Sequence, residues 1–392
     1  MLWVVPALGC VGGGGSTGSG GSNTGGGAGG ASGGAGGVPG TSAGTPGVWQ
    51  DVTPAGINLA PGASGGGFPD NYGVQDIVAD PVRPADLYAF VCYQGVWRST
   101  DYGLTWQQAN PGANWQKPWA AAIDPSKSRD PQRAPALYAG NSAAIGFLAS
   151  TDWGVTWTAR RLPDSFGNYA YQQVYSIDVD PYDSNHLIIG FHEAPDMAES
   201  TDGGMTWKKI TGADADAQSY CPYFLDTGSA ATTRRTWLVV PQINTSARAV
   251  RTVDGGATWM KLNQFQHYHG SSQIFDAGKG VVYMGAVNPN GLWKSTDLGA
   301  TWTKVATGSA GVVTASARYL YSNVGLGWGS PGAPLDPELM SARRDADTSW
   351  TKTPAPSGMV DGSKRMAVTH DGAHAIVVAG NWHAGIWRYV EP

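Results

Sequence analysis

Ser200-Thr201-Asp202-Gly203-Gly204-Met205-Thr206-Trp207 is a phrase this chain writes repeatedly. The same pattern recurs at Ser99–Trp106, Ser150–Trp157, Thr252–Trp259 and Ser295–Trp302, and decays at Arg343–Trp350, which keeps Asp345 and Trp350. The repeated aspartates Asp101, Asp152, Asp202, Asp254, Asp297 and Asp345 fall 51, 50, 52, 43 and 48 residues apart. A period of about 50 residues is too long for a helical or leucine-rich repeat and matches one four-stranded propeller blade per unit.

The unit has a local physical logic. Asp, Ser or Thr followed by Gly is turn chemistry: the carboxylate accepts backbone N–H groups, while Gly103, Gly154, Gly204, Gly256 and Gly299 adopt angles that other residues resist. Each box is therefore a predicted hairpin tip, and its aspartate is read as a turn former rather than a catalyst. The closing Trp is expected to open the next strand, as in Trp302-Thr303-Lys304-Val305. One buried indole contributes roughly 4 to 6 kcal/mol gross, an upper bound, at about 25 cal/mol/Å².

Six blades of four short strands can be laid out from residue 75 to residue 352. Three strands then remain, at Met366–Thr369, His374–Ala379 and Gly385–Val390, with no fourth after them. Val48-Trp49-Gln50-Asp51-Val52-Thr53-Pro54 reads like the segments that begin at the box tryptophans and supplies the missing strand. The expected fold is all-β, a single seven-bladed propeller over residues 48–392, closed by pairing the N-terminal strand with the last three.

The chain has 392 residues, 14% of them charged, and a net charge of −5, which gives no nucleic-acid footprint. Residues 1–10 form a short apolar segment ending in small residues and Cys10, and residues 11–47 are a tether in which 19 of 37 residues are Gly. Segment 1–10 resembles the tail of a bacterial lipoprotein signal, although no Lys or Arg precedes the apolar run and Ala7 stands where Leu is usual. That resemblance implies an extracytoplasmic protein touching the membrane only through a lipid on Cys10; a monomer is expected. As a flexible coil the tether would span roughly 30 to 37 Å. Cys92 and Cys221 sit in units one and four, so no disulfide is expected.

If the boxes occupy the c-to-d turns, the d-to-a and b-to-c loops emerge together at the other end, where binding groups gather. His186, His370 and His374 fall at the box end and are read as surface groups. The loop face collects His192, His267, His269 and His383 with Trp115, Trp328, Trp382, Tyr169 and Tyr171. Flat rings beside carboxylates and imidazoles are the makings of a sugar platform, and packing of the loops' own interior is the alternative use for the same rings. Glu193 in His192-Glu193-Ala194-Pro195-Asp196 and Asp76 at the head of an innermost strand are the candidate acid and base of a glycosidase. His192 or His269 with a tyrosine would instead eliminate across a uronic acid. No cofactor is expected, except that Gly212-Ala213-Asp214-Ala215-Asp216 offers oxygens for Ca²⁺ without the full calcium-loop pattern.

The unit Ser-x-Asp-x-Gly-x-Thr-Trp is identified as the Asp-box, or bacterial neuraminidase repeat. Asp80-Pro81 with Leu87-Tyr88, and Asp124-Pro125 with Leu137-Tyr138, resemble the propellers of xyloglucan-cleaving hydrolases, sortilin-type receptors and photosystem assembly factors. The resemblance implies a propeller over about residues 48 to 390, in a class that serves both enzymes and binders. Xyloglucanases of this kind set two propellers face to face, whereas one is read here, and the Arg-Ile-Pro of sialidases is absent. The expected function is binding and hydrolysis of a polysaccharide or oligosaccharide, with elimination or a non-enzymatic scaffold as the alternatives.

Overall fold

The computed structural model describes residues 44–60, 72–113, 115–141, 146–166, 173–213, 219–242, 246–263, 265–267, 273–308, 311–323, 338–360, 362–382 and 384–392. Within the compact unit Thr41–Pro392 the strands form seven antiparallel sheets of four. In order a, b, c, d, blade 1 comprises Val74–Ala79, Leu87–Val91, Gly95–Ser99 and Gln107–Gln108, and blade 2 Ala120–Ile123, Leu137–Gly140, Phe147–Ser150 and Thr158–Arg160. Blade 3 has Val174–Asp180, Asp183–Phe191, Met197–Ser200 and Lys208–Ile210, and blade 4 has Tyr220–Phe224, Trp237–Pro241, Val250–Thr252 and Met260–Lys261. Blade 5 is Ile274–Gly278, Val281–Val287, Asn290–Ser295 and Thr303–Ala306, and blade 6 is Val312–Ala315, Tyr319–Asn323, Glu338–Arg343 and Thr351–Pro354.

Blade 7 takes Ser363–His370, Ala375–Asn381 and Gly385–Val390 from the C-terminus and Trp49–Asp51 from the N-terminus. Trp49 pairs with Tyr389, Gln50 with Arg388 and Asp51 with Trp387, so the ring closes as the sequence predicts. The Gly47 N–H donates to the Val390 carbonyl at 2.8 Å, extending that seam one residue before Val48. The core lies between blades, where apolar faces of adjacent sheets meet; Phe147 and Trp207, for example, pack edge to face at 5.0 Å.

Each intact box folds the same way. Ser99 Oγ donates to Asp101 Oδ1 at 2.7 Å and accepts the Gly103 N–H at 2.9 Å; Asp101 then accepts the N–H and hydroxyl of Thr105 at 2.9 and 2.6 Å. Asp152, Asp202, Asp254 and Asp297 repeat this pattern. The hydroxyl and N–H of Thr258 hold the Asp254 carboxyl down at about 2. In the decayed box Arg343 replaces the serine and grips Asp345 with two bonds of 2.8 and 2.7 Å.

In the boxes of blades 1, 2 and 5 the tryptophan closes the turn instead of opening the strand. Trp106 Nε1 donates back to the Gly103 carbonyl at 3.1 Å, and Trp302 to Gly299 at 3.0 Å; the d strands begin just beyond. The ring is used to lock the tip, which delays strand pairing.

Three of the turns also present a carbonyl to the blade before them. Tyr102 and Leu298 sit at φ 61° and 56°, ahead of glycines that are also left-handed, and this double reversal turns their carbonyls outward. Arg388 of blade 7 donates to Tyr102 O at 2.9 Å, Arg251 of blade 4 to Leu298 O at 2.6 Å, and Arg160 of blade 2 to Gly203 O. Arg98 of blade 1 lies 4.6 Å from the Trp153 ring in the next box, and Lys294 of blade 5 reaches Asp347 at 2.5 Å. At these five seams a basic group in one blade thus clasps the tip of the next.

His186 departs from its surface reading. It is fully buried, with Nδ1 2.9 Å from Asp180 and Nε2 3.0 Å from Glu199, and its ring lies 4.8 Å from Phe224 of blade 4. Burial opposes its charge, but the two carboxylates outweigh burial and raise its pKa above 6.5.

Two predictions follow from these contacts. Gly204 combines φ +89° with a Cβ direction into the Phe147 ring, so Gly204→Ala should cost roughly 1–3 kcal/mol in a thermal melt. Gly212→Ala, with φ +83° and open space, should cost less. The raised His186 pKa gives stability that is full below the unfolded value of about 6.5 and lost as pH rises through the folded value. Urea midpoints should therefore fall with rising pH across that window, and His186→Gln should flatten the fall.

Candidate functional site

At the end away from the boxes, strands a converge on a central channel that opens into a cavity of about 150 Å³. Blades 1, 3 and 7 each carry a β-bulge at the head of strand a, between Val74 and Asp76, Val174 and Ser176, and Ser363 and Arg365. A bulge inserts one residue and re-aims the side chains beyond it. Asp76, Ser176 and Arg365 consequently stand at corresponding positions on the channel wall.

These floor groups stitch blades together. Asp76 is 3% exposed; it accepts the Ile77 and Ala121 N–H groups, both at 2.7 Å, and pairs with Arg365 at 3.3 Å. Deeper in the channel Asp178 accepts the Phe224 N–H at 2.7 Å and Asp276 the Asp226 N–H at 2.6 Å. Gln273 of blade 5 exchanges bonds of 2.8 and 3.1 Å with the backbone of Met366 in blade 7. Burial pushes the Asp178 carboxyl up to about 7 against the opposing pull of the Phe224 N–H and Arg365; burial likewise raises Asp276.

Above the floor lies an aromatic mouth. Trp119, just before strand a of blade 2, meets Tyr175 edge to face at 4.9 Å and His192 at 4.6 Å. Tyr175 and His192 are 4.9 Å apart, and Tyr72 meets Trp382 at 4.9 Å. Lys117 Nζ lies 4.4 Å from the Tyr72 ring centre and 5.9 Å from that of Trp119. His192 Nδ1 is 3.1 Å from Gln173 Oε1, and burial followed by the Lys117 charge pulls its pKa down to about 4. The imidazole is therefore neutral near pH 7.

The residues singled out from sequence fall into three groups. His192 and Trp382 join this mouth, and Glu193 stands exposed at the rim, with φ 57° and its N–H on Ser219 Oγ at 3.0 Å. Asp76 is on the floor, buried and bonded as above. Trp115 packs inside against Trp157 at 5.0 Å and gives its carbonyl to the Tyr93 N–H. His267 is also internal, held between the Gly285 carbonyl at 3.0 Å and Tyr223 Oη at 3.2 Å, with burial lowering its pKa to about 4. His269, Tyr169, Tyr171, Trp328 and His383 lie outside the described residues, as do Asp214 and Asp216.

Trp119 and Tyr72 belong to the loop-face rings that the strand count places at this end, whereas Lys117, Tyr175, Asp178 and Arg365 were not among the sequence candidates for the site. A signal existed for two of them: Asp178 interrupts an apolar innermost strand, and Arg365 heads a strand in the slot where Asp76 heads another. Among the described residues no group of three or more His, Cys, Asp or Glu is placed to hold a metal ion. Cys92 and Cys221 are separate buried thiols.

No family model matches the sequence. Among characterised proteins the chain is similar to xyloglucanase Xgh74A of Acetivibrio thermocellus, 30% identical over 176 residues, covering 36% of this chain and 20% of that protein. It is also similar to a xyloglucanase of a Paenibacillus species, 24% identical over 343 residues, with 75% of this chain and 32% of the relative covered. The chain thus spans a third or less of the length of these relatives. Among solved structures it resembles the GH74 xyloglucanase of Xanthomonas campestris, with a TM-score of 0.56 and 16% identity over 87% of this chain and 53% of that one. YCF48 from Cyanidioschyzon merolae gives a TM-score of 0.54 at 13% identity, over 88% of this chain and 98% of that one. At these identities the shared property is the fold, and this chain is a seven-bladed propeller built like theirs.

Proposed function

We propose that this chain is an extracytoplasmic propeller, tethered through its Gly-rich N-terminal segment, that binds a polysaccharide across the loop-face mouth and hydrolyses it. The observation carrying this reading is the gathering of Tyr72, Trp119 and Tyr175 over a polar floor of Asp76, Ser176 and Arg365. Flat rings take the C–H faces of a pyranose, and the floor groups take its hydroxyls. The xyloglucanases among the relatives support a saccharide ligand. For hydrolysis, Glu193 is the solvent-facing carboxyl and Asp76 its ion-paired counterpart on the floor.

Elimination across a uronic acid is the second reading, and the neutral His192 favours it. An uncharged imidazole accepts a proton, and Tyr175 beside it keeps its own because burial raises its pKa well above 10. In this reading the Tyr175 hydroxyl protonates the leaving oxygen.

A polysaccharide screen on the intact chain separates these readings. New reducing ends without the ultraviolet absorbance of an unsaturated uronate mean hydrolysis; that absorbance means elimination. Silence on every glycan, with capture of an envelope protein, means a scaffold. Trp119→Ala should weaken glycan binding about tenfold, the loss of one ring contact of ~1.4 kcal/mol. Glu193→Gln should lower hydrolysis at least about 100-fold, and His192→Ala should lower elimination similarly. Full hydrolytic activity in Glu193→Gln sinks the carboxyl assignment.

A further inference from the structure

The grooves on the outer wall of the ring, between neighbouring blades, are not alike. The groove between blades 1 and 2 is lined in part by Arg98, and that between blades 5 and 6 by Lys304 and Lys352. Between blades 6 and 7 lies a cavity of about 330 Å³ whose lining holds no acidic or basic side chain. Its rings are Trp49 and Tyr389 of blade 7 and Tyr321 of blade 6. Trp49 and Tyr389 are half-buried and lie 5.2 Å apart with planes 34° from parallel, and Tyr321 meets Tyr389 at 6.1 Å. Ser341 and Thr353 of blade 6 add hydroxyls to the wall.

Chain order accounts for this groove. Blade 7 draws strands c and d from opposite ends of the chain, so no box turn joins them. Its Trp49 begins strand d, next to where a box tryptophan stands elsewhere, but no box carbonyl waits for its indole N–H as Gly103 waits for Trp106. Among the described residues, the Trp49 indole N–H and the hydroxyls of Ser341 and Tyr389 have no hydrogen-bond partner.

We propose that this groove is a second saccharide site, separate from the mouth, which takes an uncharged pyranose of the polysaccharide. Its C–H face lies on Trp49 and Tyr389, and its hydroxyls bond the Trp49 indole N–H and the Ser341 hydroxyl. The inference rests on the glycan-binding reading above and adds a place where a long chain is held outside the reaction centre. A uronate or charged peptide would set its ionic groups against rings with no counter-charge, and an apolar peptide would leave the indole N–H and the hydroxyls unmatched. A polymer that engages both sites gains through effective concentration what neither site supplies alone.

The test uses the intact chain with a xyloglucan oligosaccharide as the neutral probe, polygalacturonate as the charged one, and polymeric xyloglucan for the two sites together. The indole N–H resonance of Trp49, identified by its loss in Trp49→Phe, should shift when the oligosaccharide is added, in the parent and in Trp119→Ala alike. Thr353 is exposed on the outermost strand of blade 6, so Thr353→Arg fills the groove without touching the core. That variant should abolish the shift and lower polymer affinity at least about tenfold with an unchanged thermal melt, while Thr353→Ser leaves both as they are. A Trp49 resonance that stays still while the oligosaccharide binds overturns the outer site and leaves the mouth reading intact. A shift that disappears in Trp119→Ala places the sugar at the mouth, with the same consequence. An equal shift with polygalacturonate overturns the preference for an uncharged sugar, and failure to bind either glycan removes this site and the glycan reading together.

Discussion

A closed ring of sheets survives only if every blade is held to the next, and at three seams of this chain the held object is the carbonyl at the tip of a box turn. Two successive left-handed residues, such as Tyr102 and Gly103, turn that carbonyl outward. An arginine of the preceding blade then donates to it, as Arg388 does across the seam between blades 7 and 1. Each guanidinium is partly withdrawn from water, so the contact is useful only when an acceptor waits in place. The aspartate of the box makes it wait, by fixing the backbone that carries the carbonyl.

The loop end is joined by different means. There, carboxylates and amides inside the channel reach backbone N–H groups of neighbouring strands, as Asp76 does to Ala121 and Asp178 to Phe224. Such groups must be bonded because they are buried. The same groups line a cavity, so the chemistry that welds the channel also makes its floor polar. The mouth therefore combines two necessities: rings that cover the channel opening, and polar atoms that hold the blades beneath.

Division of labour between the two ends matches the way the box aspartates are bonded into their own turns. Asp254 shows the pattern, with its oxygens taken by Thr252 and Thr258 and its charge stabilised by those donors. Loops carried on a rigid scaffold are where binding groups usually gather, and here the boxes at the other end supply that rigidity.

Blade number, the order of strands and the seam at Trp49 were legible in the sequence because each depends on local turn chemistry repeated at a steady period. His192 and Trp382 were also recognisable as loop-face groups, since a loop's end of the ring follows from counting strands. Trp119 was recognisable in the same way, but Tyr175 and Lys117 were not: they reach the mouth only through the closing of the ring and through bulges that shift side chains at the heads of strands. The inward turn of Trp115 and the burial of His186 were hidden for a related reason. A strand or loop position fixes which end a residue occupies, while contact with the adjacent blade decides whether it faces water, and that contact exists only in the folded ring.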